Sequence, residues 1–135
     1  MDGPGQPGSR REARERALGL LYEAESKQAP LVEVLAALPV PPHTFATELV
    51  EGVAEHQDEL DELIRRLAKG WTLERMPAVD RAVLRLGAYE LAHRPEIPTS
   101  AVLTEAVELA SSYSTDDSGR FVNGMLAKMA EELRP

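Results

Sequence analysis

The sequence predicts an all-helical protein, and three observations support this. Apolar residues recur at the three- and four-residue spacing of helices along most of the chain. No segment alternates apolar and polar residues as a half-buried strand does. Prolines and glycines separate the periodic segments and act as helix ends. With 135 residues the chain is long enough for one cored domain. We expect a compact bundle of six or seven helices in two packed sub-bundles.

The N-terminal sub-bundle is predicted at residues 10–70. Residues 1–9 are rich in glycine and proline, and we expect them to be a disordered tail. A helix follows from about Arg10, then a short apolar helix at 31–38, then a long amphipathic helix at about 42–69. The outer face of the long helix carries many carboxylates, including Asp61, and we expect this face to point to water. The first helix places its core stripe at Ala13, Ala17, Leu20, Leu21 and Ala24.

The central helix lies within the segment from Trp71 to Arg94. After Pro77 its apolar residues cover nearly the whole circumference, which is typical of a buried helix. Arg81 and Arg85 are the exceptions, and they share one stripe. Two interpretations remain open for them. They either pair with carboxylates of neighbouring helices or form a cationic strip at the edge of a ligand surface.

Two further helices complete a C-terminal sub-bundle at 71–135, so that the whole domain covers 10–135. The first begins after Pro98 and is predicted to turn Tyr113 inward. The last follows a run of turn and capping residues at 114–118. Gly124 lies inside this last helix, where glycine costs roughly 1 kcal/mol against alanine. We interpret it as a mark of close helix packing.

Composition and charge restrict the classes of function. The chain has no cysteine and a net charge of −8, which argues against non-specific binding of nucleic acid over the whole surface. It shows no signal-peptide h-region and no apolar run of membrane-spanning length, so we expect a soluble, cytoplasmic protein. Catalytic residues are not predicted, because His43, His56 and His93 fall in separate elements. No metal or cofactor is predicted either, because His56 has no second histidine at i+3 or i+4 beside its neighbouring glutamates.

Four arginines between Arg10 and Arg16 lie in the first turns of a helix, where the helix dipole favours acids instead. Tyr22 shares a helical stripe with Arg11 and Arg14. One interpretation is a solvated face. The other is a surface for single-stranded RNA, with arginines on phosphates and an aromatic ring stacked on a base.

Three segments together resemble the NusB family of transcription antitermination factors. They are RREARERALGLLYE, WTLERMPAVDRAVLRLGAYEL and IPTSAVLTEAVELASSYSTDDSGRFVNGMLAKM, and the resemblance covers Arg10 to Leu133. It implies two small helical bundles packed together. It also implies binding of boxA RNA with the ribosomal protein NusE, in a complex that loads onto RNA polymerase and favours processive transcription, notably of ribosomal RNA.

The resemblance also implies site residues. The family's FVNG motif falls at the start of the predicted last helix, where free N–H groups would suit a phosphate. We expect the two RNA-binding segments to form one surface, and a partner groove to lie between the central helix and the final bundle. The implied RNA-binding residues are Arg10, Arg11, Arg14, Tyr22, Arg120, Phe121 and Asn123, and the predicted partner groove is flanked by Glu74, Arg75, Arg81 and Glu105.

Other functions remain as alternatives. A protein-binding helical scaffold is one of them. A homodimer through the first helix is another, and it would bury Arg11, Arg14 and Tyr22 and so exclude RNA. The fold the resemblance implies also occurs fused to ribosomal-RNA cytosine methyltransferases. We expect no such activity here, because the sequence has neither a Rossmann-type glycine motif nor a cysteine nucleophile.

Overall fold

A computed structural model of the chain describes residues 7–135, with side chains from Arg10 onwards. The described residues form six α-helices and a single 3₁₀ turn, and they contain no strand. The all-α prediction is therefore confirmed. The helices are α1 (Pro7–Lys27), α2 (Leu31–Ala36), α3 (Thr44–Leu67), α4 (Ala78–His93), α5 (Thr99–Tyr113) and α6 (Asp116–Leu133), and the 3₁₀ turn is Leu73–Arg75.

Helix α1 begins at Pro7, within the segment predicted to be a disordered tail. Proline suits the first turn of a helix, because the N–H group it lacks has no partner there. The remainder of the predicted tail, residues 1–6, lies outside the described residues. The predicted core stripe of α1 is confirmed, since each of its five side chains is at most 5% exposed: Ala13, Ala17, Leu20, Leu21 and Ala24.

The described chain divides into two compact units, the first ending at Glu55 and the second running from His56 to Pro135. The sequence suggested a division after residue 70 instead. The observed boundary falls inside α3, where His56 has the non-helical angles φ −109° and ψ 16°. Apolar spacing runs in phase through this residue, so the sequence pattern does not reveal the kink. Within the described residues, no helix is long and apolar enough to cross a membrane.

Helix α4 is the centre of the second unit, and it packs against α5 and α6. Its residues from Ala82 to Leu91 are buried except for Arg85, as the sequence predicted. Close packing depends on Gly87, because a Cβ atom there would lie 2.7 Å from Cδ1 of Leu126 on α6. The prediction for Gly124 was wrong, since a Cβ atom at that position would meet nothing within 4 Å.

Two arginines of α4 make buried or half-buried polar contacts inside the second unit. Nε and Nη2 of Arg85 donate to the two carboxylate oxygens of Asp61 over 2.7 and 3.0 Å. Asp61 is therefore buried, and the prediction that it faces water was wrong. Nη1 of Arg81 donates to the carbonyls of Leu73 and Met76 over 2.8 and 2.7 Å, which holds the 3₁₀ turn. Burial and the charge of Arg85 lower the pKa of Arg81 from its ordinary value.

The C-terminal end of α4 is capped by a residue from the end of the chain. Nη2 of Arg134 donates to the carbonyls of Glu90 and Arg94 over 3.0 and 2.9 Å. Its Nε reaches the carbonyl of Leu91 over 3.1 Å, and its Nη1 reaches that of Ile97 over 2.7 Å. The last carbonyls of a helix lack partners within the helix and carry partial negative charge. The guanidinium of Arg134 donates hydrogen bonds to these carbonyls, and its positive charge offsets their partial negative charge.

Helix α6 begins with the capping chemistry predicted at 114–118. Oγ1 of Thr115 accepts a hydrogen bond from the backbone N–H of Ser118 over 3.0 Å, which confirms the cap. Tyr113, at the end of α5, is 53% exposed. The prediction that it points inward was wrong, because its helix ends there and the chain turns away.

Candidate nucleic-acid interface

In the first unit, two of the predicted RNA-binding arginines lie against an aromatic ring. The guanidinium carbons of Arg10 and Arg14 lie 5.0 and 5.4 Å from the ring centroid of Phe45, a buried residue of α3. Both distances are in the range of cation–π attraction. Arg14 is only 5% exposed. Its guanidinium therefore has a packing role, and little of it is available to a phosphate.

The exposed part of the predicted stripe on α1 consists of Arg11 and Tyr22. Tyr22 is 49% exposed, whereas Leu18, between them on the stripe, is buried. Eleven residues of helix separate the two side chains, which corresponds to about 16 Å along the axis. The phenol is large, rigid and open to water, as a base-stacking side chain has to be. Arg16 is exposed on the same helix.

In the second unit, an aromatic pair lies among cations. The rings of Trp71 and Phe121 meet edge to face, with centroids 4.9 Å apart. A groove of about 320 Å³ runs beside them, and Lys69, Arg120 and Lys128 contribute to its wall. None of the described residues that line this groove is acidic. Exposed aromatic faces with flanking cations are the combination that binds single-stranded nucleic acid. We call this surface the Trp71–Phe121 groove.

The sequence prediction missed Lys69, Trp71 and Lys128. The sequence contains one clue for Trp71, because it directly follows Gly70, a residue typical of turns. In the structure Gly70 has a φ of +77°, which glycine adopts at little cost. That turn ends the segment after α3 and lets Lys69 and Trp71 line the same groove. Gly124 also lines it, and the absence of a side chain there leaves the groove open. Helix packing does not require a glycine at position 124, and the open groove is the feature that its small size explains.

Arg120 has a competing partner. Its guanidinium forms an ion pair with Asp117, three residues earlier on α6. Because α6 begins at Asp116, the FVNG motif lies beyond the first turn, and the predicted placement at the helix start was wrong. The first turn instead carries Asp116 and Asp117, whose charges disfavour a phosphate. Any phosphate bound by Arg120 is thus bound by its side chain and not by free N–H groups.

Asn123 is exposed on α6 and lines a second groove, of about 560 Å³, together with Arg120. The other wall of this groove belongs to α5 and includes Thr104, Glu108 and Ser111. Arg120 lines both this groove and the Trp71–Phe121 groove. A single strand of nucleic acid that contacts both the aromatic pair and Asn123 would therefore contact Arg120 as well.

The predicted partner-binding residues differ in their exposure. Glu74 and Arg75 are exposed on the 3₁₀ turn, and Glu74 lies 3.9 Å from Arg65 of α3. Arg81 is half-buried beneath that turn and donates to its carbonyls, so it positions Glu74 and Arg75. Glu105 is half-buried on α5.

The fold and these surfaces define a class: an all-helical protein with exposed cationic and aromatic surfaces suited to nucleic acid. The sequence model of the NusB family matches residues 11–131, and the chain belongs to that family. It is 52% identical over 130 residues to the transcription antitermination protein NusB of Salinispora arenicola, covering 91% of this chain and 96% of that protein. It is 44% identical to the NusB of Thermobifida fusca, covering 98% and 96% of the two chains.

Solved structures show the same fold. The structure of T. maritima NusB superimposes with a TM-score of 0.86 at 33% identity, covering 100% of this chain and 96% of that chain. A structure of the antitermination factors NusB and NusE in complex with dsRNA has a TM-score of 0.80 at 25% identity, covering 94% and 99% of the two chains.

Proposed function

We propose that this protein is a non-catalytic transcription antitermination factor of the cytoplasm. In this proposal it binds boxA-type RNA together with the ribosomal protein NusE, joins an RNA polymerase antitermination complex and promotes processive transcription, notably of ribosomal RNA. The observation that carries the proposal is the Trp71–Phe121 groove, an aromatic pair among three cations in a protein of net charge −8. The names of the relatives and of the NusB–NusE–dsRNA structure support it.

The RNA would be held by two kinds of contact. Phe121 and Trp71 offer faces or edges to unpaired bases, and Lys69, Arg120 and Lys128 offer charge to the phosphates. On α1, Tyr22 and Arg11 repeat the same combination on a smaller scale. That these two surfaces bind one RNA strand together stays a prediction. Because Arg14 packs on the Phe45 ring, which Arg10 also contacts, we assign Arg14 a packing role.

A partner is needed because the overall charge opposes RNA binding. Carboxylates dominate the exposed face of α3, and their long-range field repels a polyanion. A basic ribosomal protein would offset that field and extend the cationic surface. We propose that it contacts Glu74 and Arg75 on the 3₁₀ turn, and that Glu105 of α5 also takes part. Arg81 would act by holding the turn in place.

The experiment is a filter-binding titration of boxA RNA and a scrambled RNA, with and without NusE. We expect boxA to bind more tightly than the scrambled RNA, and more tightly with NusE than without it. Phe121→Ala should weaken binding by about 1–3 kcal/mol, as expected for the loss of one stacked base. Tyr113→Ala is the matched control, because Tyr113 is an exposed aromatic residue outside the Trp71–Phe121 groove.

Two results would contradict the proposal. Equal affinity for boxA and scrambled RNA, with NusE present, would show that RNA binding is not sequence-specific. Binding of NusE combined with no detectable binding of any RNA would leave a protein-binding scaffold as the function. Sedimentation with added RNA tests the homodimer through α1: a dimer that persists with RNA bound would show that the two states do not exclude each other.

A further inference from the structure

Two histidines and one glutamate of the second unit converge at the kink in α3. Nδ1 of His56 lies 3.3 Å from Oε1 of Glu59, and Nε2 of His93 lies 3.0 Å from Oε2 of the same carboxylate. One potential ligand atom from each of the three residues lies within 4.8 Å of the other two. Among the described residues, this is the group whose composition and spacing fit a metal ion.

The two histidine rings lie side by side at this cluster. The imidazoles of His56 and His93 stack with centroids 3.8 Å apart and planes inclined by 19°. Both rings direct a nitrogen at the same carboxylate, so three donor atoms face one small volume. Tyr89 lies behind the rings, with its centroid 5.5 Å from that of His93, and it is buried. One side of the cluster is thus apolar protein, and the other opens to water.

We propose that His56, Glu59 and His93 bind a divalent first-row transition-metal ion of the Zn²⁺ type. Two imidazole nitrogens and one carboxylate oxygen are a common donor set for zinc, with a water at the fourth position. The donor atoms would have to approach until each is about 2.0–2.2 Å from the ion. One of the two stacked rings has to turn before both nitrogens can point at one ion. The side chains are 29%, 54% and 29% exposed, so they have room for this rotation and the ion has a path of entry.

A metal ion binds the unprotonated nitrogen of a neutral imidazole, so the nitrogens that face Glu59 must carry no proton when the ion is bound. The ion would join α3 just after its kink to the last turn of α4, two segments that are distant in sequence. Binding to the folded state alone would then raise the melting temperature.

The test is calorimetric titration of the chelator-treated full chain with ZnCl₂ at pH 7.5, followed by thermal unfolding with and without Zn²⁺. We expect one Zn²⁺ per chain with a Kd below about 100 µM, and a higher melting temperature with Zn²⁺. His93→Gln and Glu59→Gln should each weaken binding by more than about tenfold. With Co²⁺ as the probe, wild type should show visible d–d absorption that His93→Gln lacks.

Matched controls keep the proposal falsifiable. Asp58→Asn removes the same charge next to Glu59 on α3, at an exposed position outside the cluster. His43→Gln removes a histidine from the first unit. Both should bind Zn²⁺ as wild type does, and circular dichroism confirms that each variant is folded. No saturable binding by wild type, or equal loss in the control variants, would overturn the proposal. The RNA titrations are done without metal, so the two proposals fail separately.

Discussion

Arg85 and Asp61 form a bidentate ion pair inside the second unit, with Nε 2.7 Å from Oδ1 and Nη2 3.0 Å from Oδ2. Their side chains are only 13% and 10% exposed. The pair joins the second part of α3 to the central helix α4. Of the two interpretations that the sequence left open for Arg85, the structure supports pairing with a carboxylate.

Removing one member of this pair should be costly. Asp61→Ala removes the bidentate partner of a largely buried guanidinium, and we expect a loss of about 3–5 kcal/mol in the free energy of unfolding. Asp58→Ala, at an exposed position of the same helix, should change it by less than about 0.5 kcal/mol. Urea unfolding followed by circular dichroism measures both. Equal effects of the two variants would show that the pair contributes no more than a surface charge.

Arg134 should contribute to stability although it is next to the C-terminal residue. Arg134→Ala removes hydrogen bonds to the carbonyls of Glu90, Leu91, Arg94 and Ile97, and we expect a loss of about 2–4 kcal/mol. Arg134→Lys should recover only part of it, because an ammonium lacks the planar fork of donors. The measurement is thermal and urea unfolding of both variants. Full recovery by lysine would mean that the charge alone matters.

Gly124→Ala should separate stability from RNA binding. The position lies within α6 with open space around it, so alanine should stabilise the protein by about 1 kcal/mol. The added methyl group narrows the Trp71–Phe121 groove, and RNA affinity should fall. Gly19→Ala, at another exposed helical glycine with open space, calibrates the gain in stability. RNA affinity that is unchanged in Gly124→Ala would argue that RNA does not enter this groove.

Arg11 and Arg14 should behave differently on mutation, although the sequence assigns them the same role. Arg11 is exposed, and Arg11→Ala should weaken RNA binding and reduce the slope of log K against log salt by under one unit. Arg14→Ala removes a buried guanidinium from beside Phe45 and should lower stability by about 1–2 kcal/mol. Salt-dependent titrations and urea unfolding measure the two effects. A large change in the slope of log K against log salt for Arg14→Ala would instead indicate that Arg14 contacts RNA.

The Arg66–Glu132 pair predicts a pH dependence. The hydrogen bond from Arg66 lowers the pKa of Glu132 below its ordinary 4.5. A carboxyl whose pKa is depressed on folding adds stability above its unfolded pKa, and this is lost as the pH falls through the lower folded value. Glu132→Gln should therefore reduce stability at pH 7 and have no effect at the lowest pH. Glu131→Gln, at an exposed neighbouring position, is the matched control, and urea unfolding at the two pH values measures both variants.

The sequence by itself determined the helices and their buried faces. Apolar spacing of 3.6 residues is a local property, and it correctly gave the stripe of α1 and the burial of α4. The run of turn and capping residues at 114–118 correctly predicted a cap, which the structure places at Thr115. The resemblance to the NusB family gave the family correctly. It also named exposed residues of both proposed RNA surfaces, Tyr22 and Arg120 among them.

Only the tertiary structure decided which polar side chains meet across distant parts of the chain. In the sequence, Asp61 is one of several carboxylates on a face that we expected to be solvated. Only the structure shows that Arg85 of another helix pairs with it. His93 is 37 residues from His56 in sequence, and no local spacing predicts their stacking. Such pairs depend on how whole helices pack, and a helical period carries no information about the neighbouring helix. The kink at His56 and the packing of Arg14 on Phe45 were decided in the same way.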